Sequence, residues 1–265
     1  MDERERVAKV TAAVAPAPVV VVKLGGSFIS DKKEDFSYRG DSVTSLAWAI
    51  RGSGERTVIV HGGGAFGHPL AKRYHLSSRS PSASPEGVSE TRRAMFDLDA
   101  RVCDSVFAGG LRPYAFSPFP LLTAAGRRGT AWLMDIISAG LTPVTFGDVV
   151  REEGGFRILS GDTISLLLSR SLRARRCVFV MDVDGIMGPD GEVIGALDRR
   201  NAARLELSAS GDATGGIAGK VREALRMASA GTEVAFVSGF RPREFSKALK
   251  GLDFHGTIVK VPSRD

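Results

Sequence analysis

Short apolar runs, each followed at once by glycine or aspartate, recur along this sequence. Val19 to Leu24 contains one charged residue and leads into Gly25, and Thr57 to Val60 is followed closely by Gly62 to Gly64. Three later runs end in the same way, at 147–148, 182–185 and 238–239. Strands that are apolar at nearly every position are typical of a parallel sheet covered on both faces. Because helical patterns separate the runs, the sequence predicts a doubly wound α/β sheet with ligands at the carboxyl ends of its strands.

The segments between the runs give the expected organisation of the chain. Apolar spacing predicts helices over 42–51 and 88–108, and a short last strand over 256–260. Residues 77–87 are rich in serine and proline and predict a mobile surface loop, which is a candidate lid. Residues 1–17 end in Ala-Pro-Ala-Pro and predict a flexible N-terminal extension, so residues 18–265 are expected to form the folded domain.

Composition excludes several classes of protein. With 265 residues, 43% of them hydrophobic, the chain can bury a core, and it contains no apolar run of the ~20 residues that would span a membrane. Its only cysteines, Cys103 and Cys177, form no metal-spaced cluster and indicate a reducing, cytoplasmic location. The net charge of +6 is consistent with a polyanionic ligand or a nucleic acid. Because the basic residues are dispersed, we favour an ordinary basic surface and expect no nucleic-acid partner.

Lys23, at the end of the first apolar run, leads into Gly25, Gly26 and Ser27. Glycines allow backbone amides to approach phosphate oxygens closely, and a following helix N-terminus adds positive potential. A lysine is costly to place in a buried strand, so Lys23 is interpreted as a phosphate ligand. The alternative is an exposed lysine on an edge strand.

The segment from His61 to His68 contains three consecutive glycines at a strand end. Glycine favours neither strand nor helix, so this run indicates close approach of the backbone to an anion. His68, where a helix is expected to begin, is either a donor to a phosphate oxygen or a solvated histidine. His61 is interpreted as structural.

Three further segments contain polar residues suited to phosphate chemistry. Ser160-Gly161-Asp162 either caps a helix or places Asp162 beside lysines. The segment 182–185 is a strand-end turn that either meets a nucleotide or is only a turn, and 212–220 has a second diglycine followed by Lys220. The P-loop pattern Gly-x-x-x-x-Gly-Lys-Ser/Thr does not occur in the sequence, and no dinucleotide-binding glycine motif follows the first strand. Together the segments predict a site for several phosphate groups.

Five segments, taken in order, resemble the motifs of the amino-acid kinase superfamily. They are Lys23-Leu-Gly-Gly-Ser, His61-Gly-Gly-Gly, Ser160-Gly-Asp, Asp182-Val-Asp-Gly and Thr214-Gly-Gly-Ile-Ala-Gly-Lys. The narrower resemblance, to isopentenyl phosphate kinases, rests on 29–32, 64–68, 143–148 and the Asp-x-Thr-Gly-Gly run. The resemblance implies an open αβα sandwich with a mainly parallel central sheet, usually in a homodimer. It implies a phosphate-acceptor lobe over about 18–160, an ATP-binding lobe over about 161–265, and Mg²⁺ with the ATP.

The same resemblance assigns roles to individual residues. Lys23, Lys32, His68, Asp162 and Lys220 would be catalytic, with Lys32 stabilising the transition state and Asp162 organising the lysines. The acceptor phosphate would be held by residues of the second and third segments, namely Gly63, Gly64, Gly67, His68 and Gly161. ATP would contact backbone and side-chain groups of four segments, namely Lys23, Gly25, Gly26, Ser27, Gly64, Asp182, Asp184, Gly185, Gly215, Gly216 and Lys220. No metal ligand is assigned to the chain.

Three functions are consistent with these residues. The first is phosphorylation of isopentenyl phosphate by ATP, with an apolar pocket for the alkenyl chain walled by Val88, Met95 and Phe96. The second is phosphorylation of fosfomycin or another small phosphonate, because fosfomycin kinases have a stretch similar to residues 62–68. The third is a nucleotide sensor that binds ATP without turnover.

Overall fold

A seven-stranded sheet runs through the computed structural model, which describes residues 18–31, 33–77, 82–119, 130–198, 202 and 216–260. Its strands are β1 (Val20–Leu24), β2 (Thr57–His61), β3 (Pro113–Ala115), β4 (Thr142–Phe146), β7 (Arg176–Met181), β8 (Glu233–Ser238) and β9 (Thr257–Val259). A separate hairpin contains β5 (Asp148–Glu152) and β6 (Gly155–Leu159). The helices are α1 (Gly26–Ile29), α2 (Gly40–Ser53), α3 (Gly64–Arg73), α4 (Pro85–Ala108), α5 (Ala131–Ser138), α6 (Gly161–Ser171), α7 (Gly216–Ser229) and α8 (Pro242–Lys250).

The strand order, β3-β4-β2-β1-β7-β8-β9, places β1 at the centre of the sheet. All neighbouring strands are parallel except β8 and β9, which are antiparallel. The carboxyl ends of β1, β2, β4, β7 and β8 therefore meet at one edge. The predicted fold class, a mainly parallel αβα sandwich, is confirmed.

The side chains of β1 alternate between the two faces of the sheet, and each face is covered by its own apolar layer. Val20, Val22 and Leu24 pack in the layer that contains α1, α2, α3, α4 and α8. Val21 packs in the opposite layer, against α5, α6 and α7. Because side chains alternate along a strand, Lys23 projects on the same side as Val21, towards α6 and α7.

The structure corrects one predicted boundary and adds one hairpin. The loop predicted over 77–87 is too long, because α4 begins at Pro85. Ser84 caps this helix by accepting a hydrogen bond from the Gly87 amide at 3.0 Å, and a proline in the first turn has no amide hydrogen to satisfy. The β5–β6 hairpin was not predicted at all. The proposed lid is only partly described, since 78–81 lie outside the described residues, as does the predicted extension over 1–17.

No helix within the described ranges is both long enough and apolar enough to cross a membrane.

Candidate active site

Two glycine turns meet at the carboxyl edge of the sheet: the diglycine turn (Gly25–Gly26) after β1, and the triple-glycine turn (Gly62–Gly64) after β2. A Cβ atom built on Gly26 would lie 2.7 Å from the Gly64 nitrogen, and one on Gly62 would lie 3.2 Å from the Gly26 nitrogen. Any side chain at these positions would push the two turns apart. Their glycines are therefore required by close backbone contact.

Backbone amides at both turns are available to a ligand. Gly26 and Ser27 open α1, and Gly63 and Gly64 stand at the start of α3, where no intrahelical acceptor exists. Among the described residues, none of these four amides has a backbone or side-chain acceptor. Converging free amides at helix starts form an anion-binding site.

Lys23 and Lys220 meet on either side of Asp162. The Lys23 Nζ lies 2.6 Å from Asp162 Oδ1, and the Lys220 Nζ lies 3.4 Å from Asp162 Oδ2. Lys23 is only 4% exposed and belongs to the central strand, so the edge-strand alternative is wrong. Its Nζ would also lie 3.8 Å from a Cβ on Gly62, which places the ammonium group at the base of the triple-glycine turn. Two cations around one carboxylate leave an excess positive charge for an anionic ligand.

The protonation of this cluster follows from burial and charge together. Burial lowers the pKa of Lys23, an effect that Asp162 opposes and Lys220 reinforces. Burial alone would raise the pKa of Asp162, but the charges of Lys23 and Lys220 outweigh it and hold that pKa below its ordinary value. Asp162 is therefore ionised at neutral pH and keeps both ammonium groups in place.

The start of α6 explains how Asp162 reaches the two lysines. Ser160 caps the helix, since its Oγ accepts a hydrogen bond from the Thr163 amide at 3.1 Å. Asp162 lies in the first turn. A Cβ on Gly161 would lie 3.4 Å from Lys23 Cε and 3.1 Å from the His61 carbonyl oxygen, so the helix start and β1 are in direct contact here. Because Ser160 caps the helix, the Asp162 side chain is available to pair with Lys23 and Lys220.

His68 extends from α3 towards the diglycine turn. It is exposed, and its Nε2 would lie 3.8 Å from a Cβ on Gly26. Lys23 lies beside Gly62 and His68 beside Gly26, and Lys220 joins them through Asp162. The space around these groups and the two glycine turns is called the cleft. Close packing explains the glycine at position 67, because a Cβ there would lie 2.7 Å from the Met95 Sδ on α4.

The residues predicted to hold ATP fall into three groups. Ser27 Oγ donates to Asp182 Oδ1 at 2.7 Å, which joins the diglycine turn to the end of β7. Asp184 pairs with Arg241 at 2.8 Å, and a Cβ on Gly185 would lie 2.7 Å from the Thr257 Oγ1, so both are engaged on the α8 and β9 side. Gly25 lies against the Val180 carbonyl and Gly216 begins α7, whereas Gly215 lies outside the described residues. Lys32, which was predicted to be catalytic, also lies outside them. The ATP roles stay predictions.

Arg39 is a further residue of the site that its sequence context does not predict. Its Nη1 donates to the carbonyl oxygens of Ser27 at 2.7 Å and Ser30 at 3.0 Å, and its Nη2 lies 3.4 Å from Asp31 Oδ2. The guanidinium group thus satisfies carbonyls at the end of α1 and fixes the helix whose first amides face the cleft. An arginine in a polar loop gives no sequence signal of this role.

Comparison with known proteins agrees with this arrangement. The model of the amino acid kinase family matches residues 18–238. Isopentenyl phosphate kinases of Methanothermobacter thermautotrophicus and Thermoplasma acidophilum are each 31% identical to this chain, cover 91% of it, and are themselves covered over 98% and 100%. A crystal structure of the T. acidophilum isopentenyl phosphate kinase product complex superposes with a TM-score of 0.74 at 30% identity, over 91% of this chain and 100% of that one. The chain belongs to the amino acid kinase family, in the branch of the isopentenyl phosphate kinases.

Proposed function

We propose that this protein transfers the terminal phosphoryl group of ATP to isopentenyl phosphate, giving isopentenyl diphosphate and ADP. One observation carries the chemistry: Lys23, Lys220 and His68 come from distant segments and border one cleft beside free glycine amides. The relatives named isopentenyl phosphate kinase supply the identity of the acceptor.

The reaction needs charge neutralisation more than proton transfer. A phosphate monoester has a second pKa near ~6, so its attacking oxygen is already largely anionic at neutral pH and needs no general base. The difficulty is to bring two polyanions into line. Lys23 and Lys220 offset the charge on the transferred group, while the Gly63 and Gly64 amides and His68 hold the acceptor phosphate.

Mg²⁺ is proposed to arrive with ATP as part of the substrate. Asp162 is the carboxylate between the two lysines, and both its oxygens are engaged by ammonium groups. Within the described ranges no three His, Cys, Asp or Glu side chains group in a way that would hold a metal ion. Bound Mg²⁺ would offset phosphate charge, and Asp162 would serve to orient Lys23 and Lys220.

The acceptor chain is proposed to lie along α4. Met95 is buried with its Sδ near Gly63 and Gly67, and Phe96 is 46% exposed and makes a T-shaped contact with Phe146, at 5.1 Å between ring centroids. An alkenyl chain can be recognised only through shape and apolar contact, which such a wall provides. The two lobes, the homodimer and the cytoplasmic location remain predictions.

Steady-state kinetics with three acceptors test the proposal. Isopentenyl phosphate, dimethylallyl phosphate and fosfomycin are compared side by side at fixed ATP and Mg²⁺, following ADP release. We expect the highest kcat/KM with isopentenyl phosphate. A clear preference for fosfomycin would show that the proposed acceptor is wrong and that the protein is still a kinase. ATP binding without turnover of any acceptor would favour the nucleotide sensor.

Replacing Gly64 with alanine is expected to reduce kcat/KM by about 100-fold, the scale of loss for ~1 Å displacement of reacting groups. Gly64 has φ +46°, and its Cβ would collide with Ser30 Oγ and lie 2.9 Å from the Gly26 carbonyl oxygen. The new methyl group would therefore separate the two glycine turns. Initial rates and urea unfolding measure the effect.

Gly54→Ala is the matched control. Gly54 also has a positive φ, +72°, but a Cβ there meets nothing within 4 Å. This variant should lose about 1 kcal/mol in the free energy of unfolding, from backbone strain alone, and keep its kcat/KM. Equal activity in the two variants would contradict the role given to the Gly64 contact.

A further inference from the structure

A histidine and an aspartate are buried together beneath the triple-glycine turn. The His61 Nε2 lies 3.1 Å from Asp99 Oδ1 on α4, and its Nδ1 lies 3.1 Å from the carbonyl oxygen of Gly62. His61 is 0% exposed and Asp99 is 4% exposed. Bulk water is therefore excluded from the ring, and the two ring nitrogens must find their partners within the protein.

Counting donors restricts the protonation of this pair. The Gly62 carbonyl oxygen and an ionised carboxylate only accept hydrogen bonds, whereas a neutral imidazole donates from one nitrogen and accepts at the other. Either neutral tautomer would place a nitrogen lone pair against an oxygen lone pair at 3.1 Å in a buried site. With Asp99 ionised, only a ring with both nitrogens protonated donates to both oxygens. A proton on Asp99 would instead let the carboxyl group donate to Nε2 of a neutral ring, but imidazole is the stronger base, with an ordinary pKa of about 6.5 against about 3.9 for aspartate, so the proton is assigned to the ring.

We infer that His61 is held as an imidazolium by the Asp99 carboxylate and that this buried pair positions the triple-glycine turn for the acceptor phosphate. The catalytic part of the inference rests on the proposed function. His61 touches no substrate in this arrangement, so it is a positioning residue and not a catalytic one.

The peptide unit between Gly62 and Gly63 connects the buried ring to the cleft, because its carbonyl contacts His61 and its amide belongs to the triple-glycine turn. A peptide unit is planar and trans, so the Gly62 carbonyl and the Gly63 amide point in opposite directions. Because the carbonyl is held on the imidazolium, the Gly63 amide points away from the buried ring. That amide is one of the four with no acceptor among the described residues.

Charge gives a second reason for the extra proton. A neutral His61 beside an ionised Asp99 would leave one net negative charge directly beneath an anion site. The imidazolium–carboxylate pair is neutral overall and presents its positive member to the glycine turn. It therefore avoids repulsion of the acceptor phosphate.

The other groups around His61 and Asp99 do not change the net charge of the pair. The Phe146 ring of β4 stacks on the imidazole at 5.6 Å between centroids. Cys103, one helical turn beyond Asp99, stays a thiol, because burial and the nearby Asp99 raise its pKa to about 12. Among the described residues, Asp99 is the charged side chain paired with His61.

Nitrogen NMR of the folded full-length protein tests the protonation directly. At pH 8, above the ordinary histidine pKa of about 6.5, we expect both His61 ring nitrogens to show the shift of protonated nitrogen. His61→Gln assigns the signals by their loss. One protonated and one bare nitrogen on His61 would overturn the inference. Because no substrate is present, this measurement stands even if the proposed acceptor is wrong.

Two substitutions of Asp99 then test positioning. In Asp99→Asn the amide group can donate to Nε2, so a neutral ring still donates to Gly62 from Nδ1. We expect a neutral His61 spectrum and a KM for isopentenyl phosphate within about 3-fold of the parent, the scale of an exchanged hydrogen bond. Asp99→Leu offers no partner and should raise this KM about 10-fold or more, with the KM for ATP unchanged.

Equal increases in both KM values for Asp99→Leu, or no increase in either, would overturn the positioning role. If Asp99→Leu does not fold, Asp99→Asn decides by itself. A KM for isopentenyl phosphate raised 10-fold or more in that variant would show that the hydrogen-bond chain alone does not position the turn. Thermal unfolding of both variants accompanies the kinetics.

Discussion

Replacing Lys23 with methionine is expected to lower kcat/KM for isopentenyl phosphate about 10³-fold, the scale seen when a group that stabilises transition-state charge is removed. Lys23 is the buried cation at the base of the triple-glycine turn, 2.6 Å from Asp162. Methionine retains much of the apolar stem but removes the ammonium group. Lys220 then remains the partner of Asp162, at 3.4 Å. Initial rates of ADP release over a range of both substrates give kcat and each KM.

Stability must be measured in the same variant. Removing one member of a buried ion pair commonly costs about 3–5 kcal/mol, although Lys220 lessens the charge left on Asp162 here. Circular dichroism and urea unfolding identify the conditions under which the variant is fully folded. Lys250→Met, at an exposed lysine in the last turn of α8, is the control and should retain its activity. A folded Lys23→Met protein with parental kcat/KM would remove Lys23 from the proposed chemistry.

Replacing His68 with asparagine is expected to lower kcat/KM by about 10²-fold, as for loss of one preorganised donor to a developing charge. Its Nε2 reaches the diglycine turn, where the two substrates' phosphates are proposed to meet. Because His68 is exposed, the free energy of unfolding should change by about 0.5 kcal/mol or less. Kinetics and urea unfolding of the same preparation separate the two effects.

His75→Asn is the matched control for this substitution. His75 is also exposed and has φ +52°, a left-handed conformation that asparagine tolerates well. This variant should keep both its activity and its stability. If His68→Asn and His75→Asn have the same kinetics, His68 does not contact the reacting groups.

Local chemistry made most of the sheet predictable. The end of β7 was predicted where the structure shows it, because an apolar run stops sharply at Asp182. β3 was missed because it has three residues, begins with proline and is largely exposed. The β5–β6 hairpin mixes charged and apolar residues, and its signal was the Gly154-Gly155 turn, where both residues have positive φ. Short or mixed strands owe their stability to tertiary packing more than to their own composition.

The candidate site was predictable only in part. Glycines and lysines could be recognised one segment at a time, but the contact of Lys23 with Asp162 depends on α6 starting beside the end of β1. The pairing of His61 with Asp99 depends on how α4 lies against β2, which no local pattern encodes. Arg39 was missed for the same reason, since its acceptors are main-chain carbonyls that any residue could provide.

The central position of β1 suggests how such an enzyme could be redesigned. β2 lies on one side of β1 and β7 on the other. The triple-glycine turn proposed for the acceptor follows β2, whereas the turn over 182–185 proposed for the nucleotide follows β7. A transplant confined to α3 and α4 would alter the wall beside the acceptor and leave the β7 and α7 side untouched. New acceptors could then be selected from libraries of grafted helices, with phosphate-donor usage inherited unchanged from the parent scaffold.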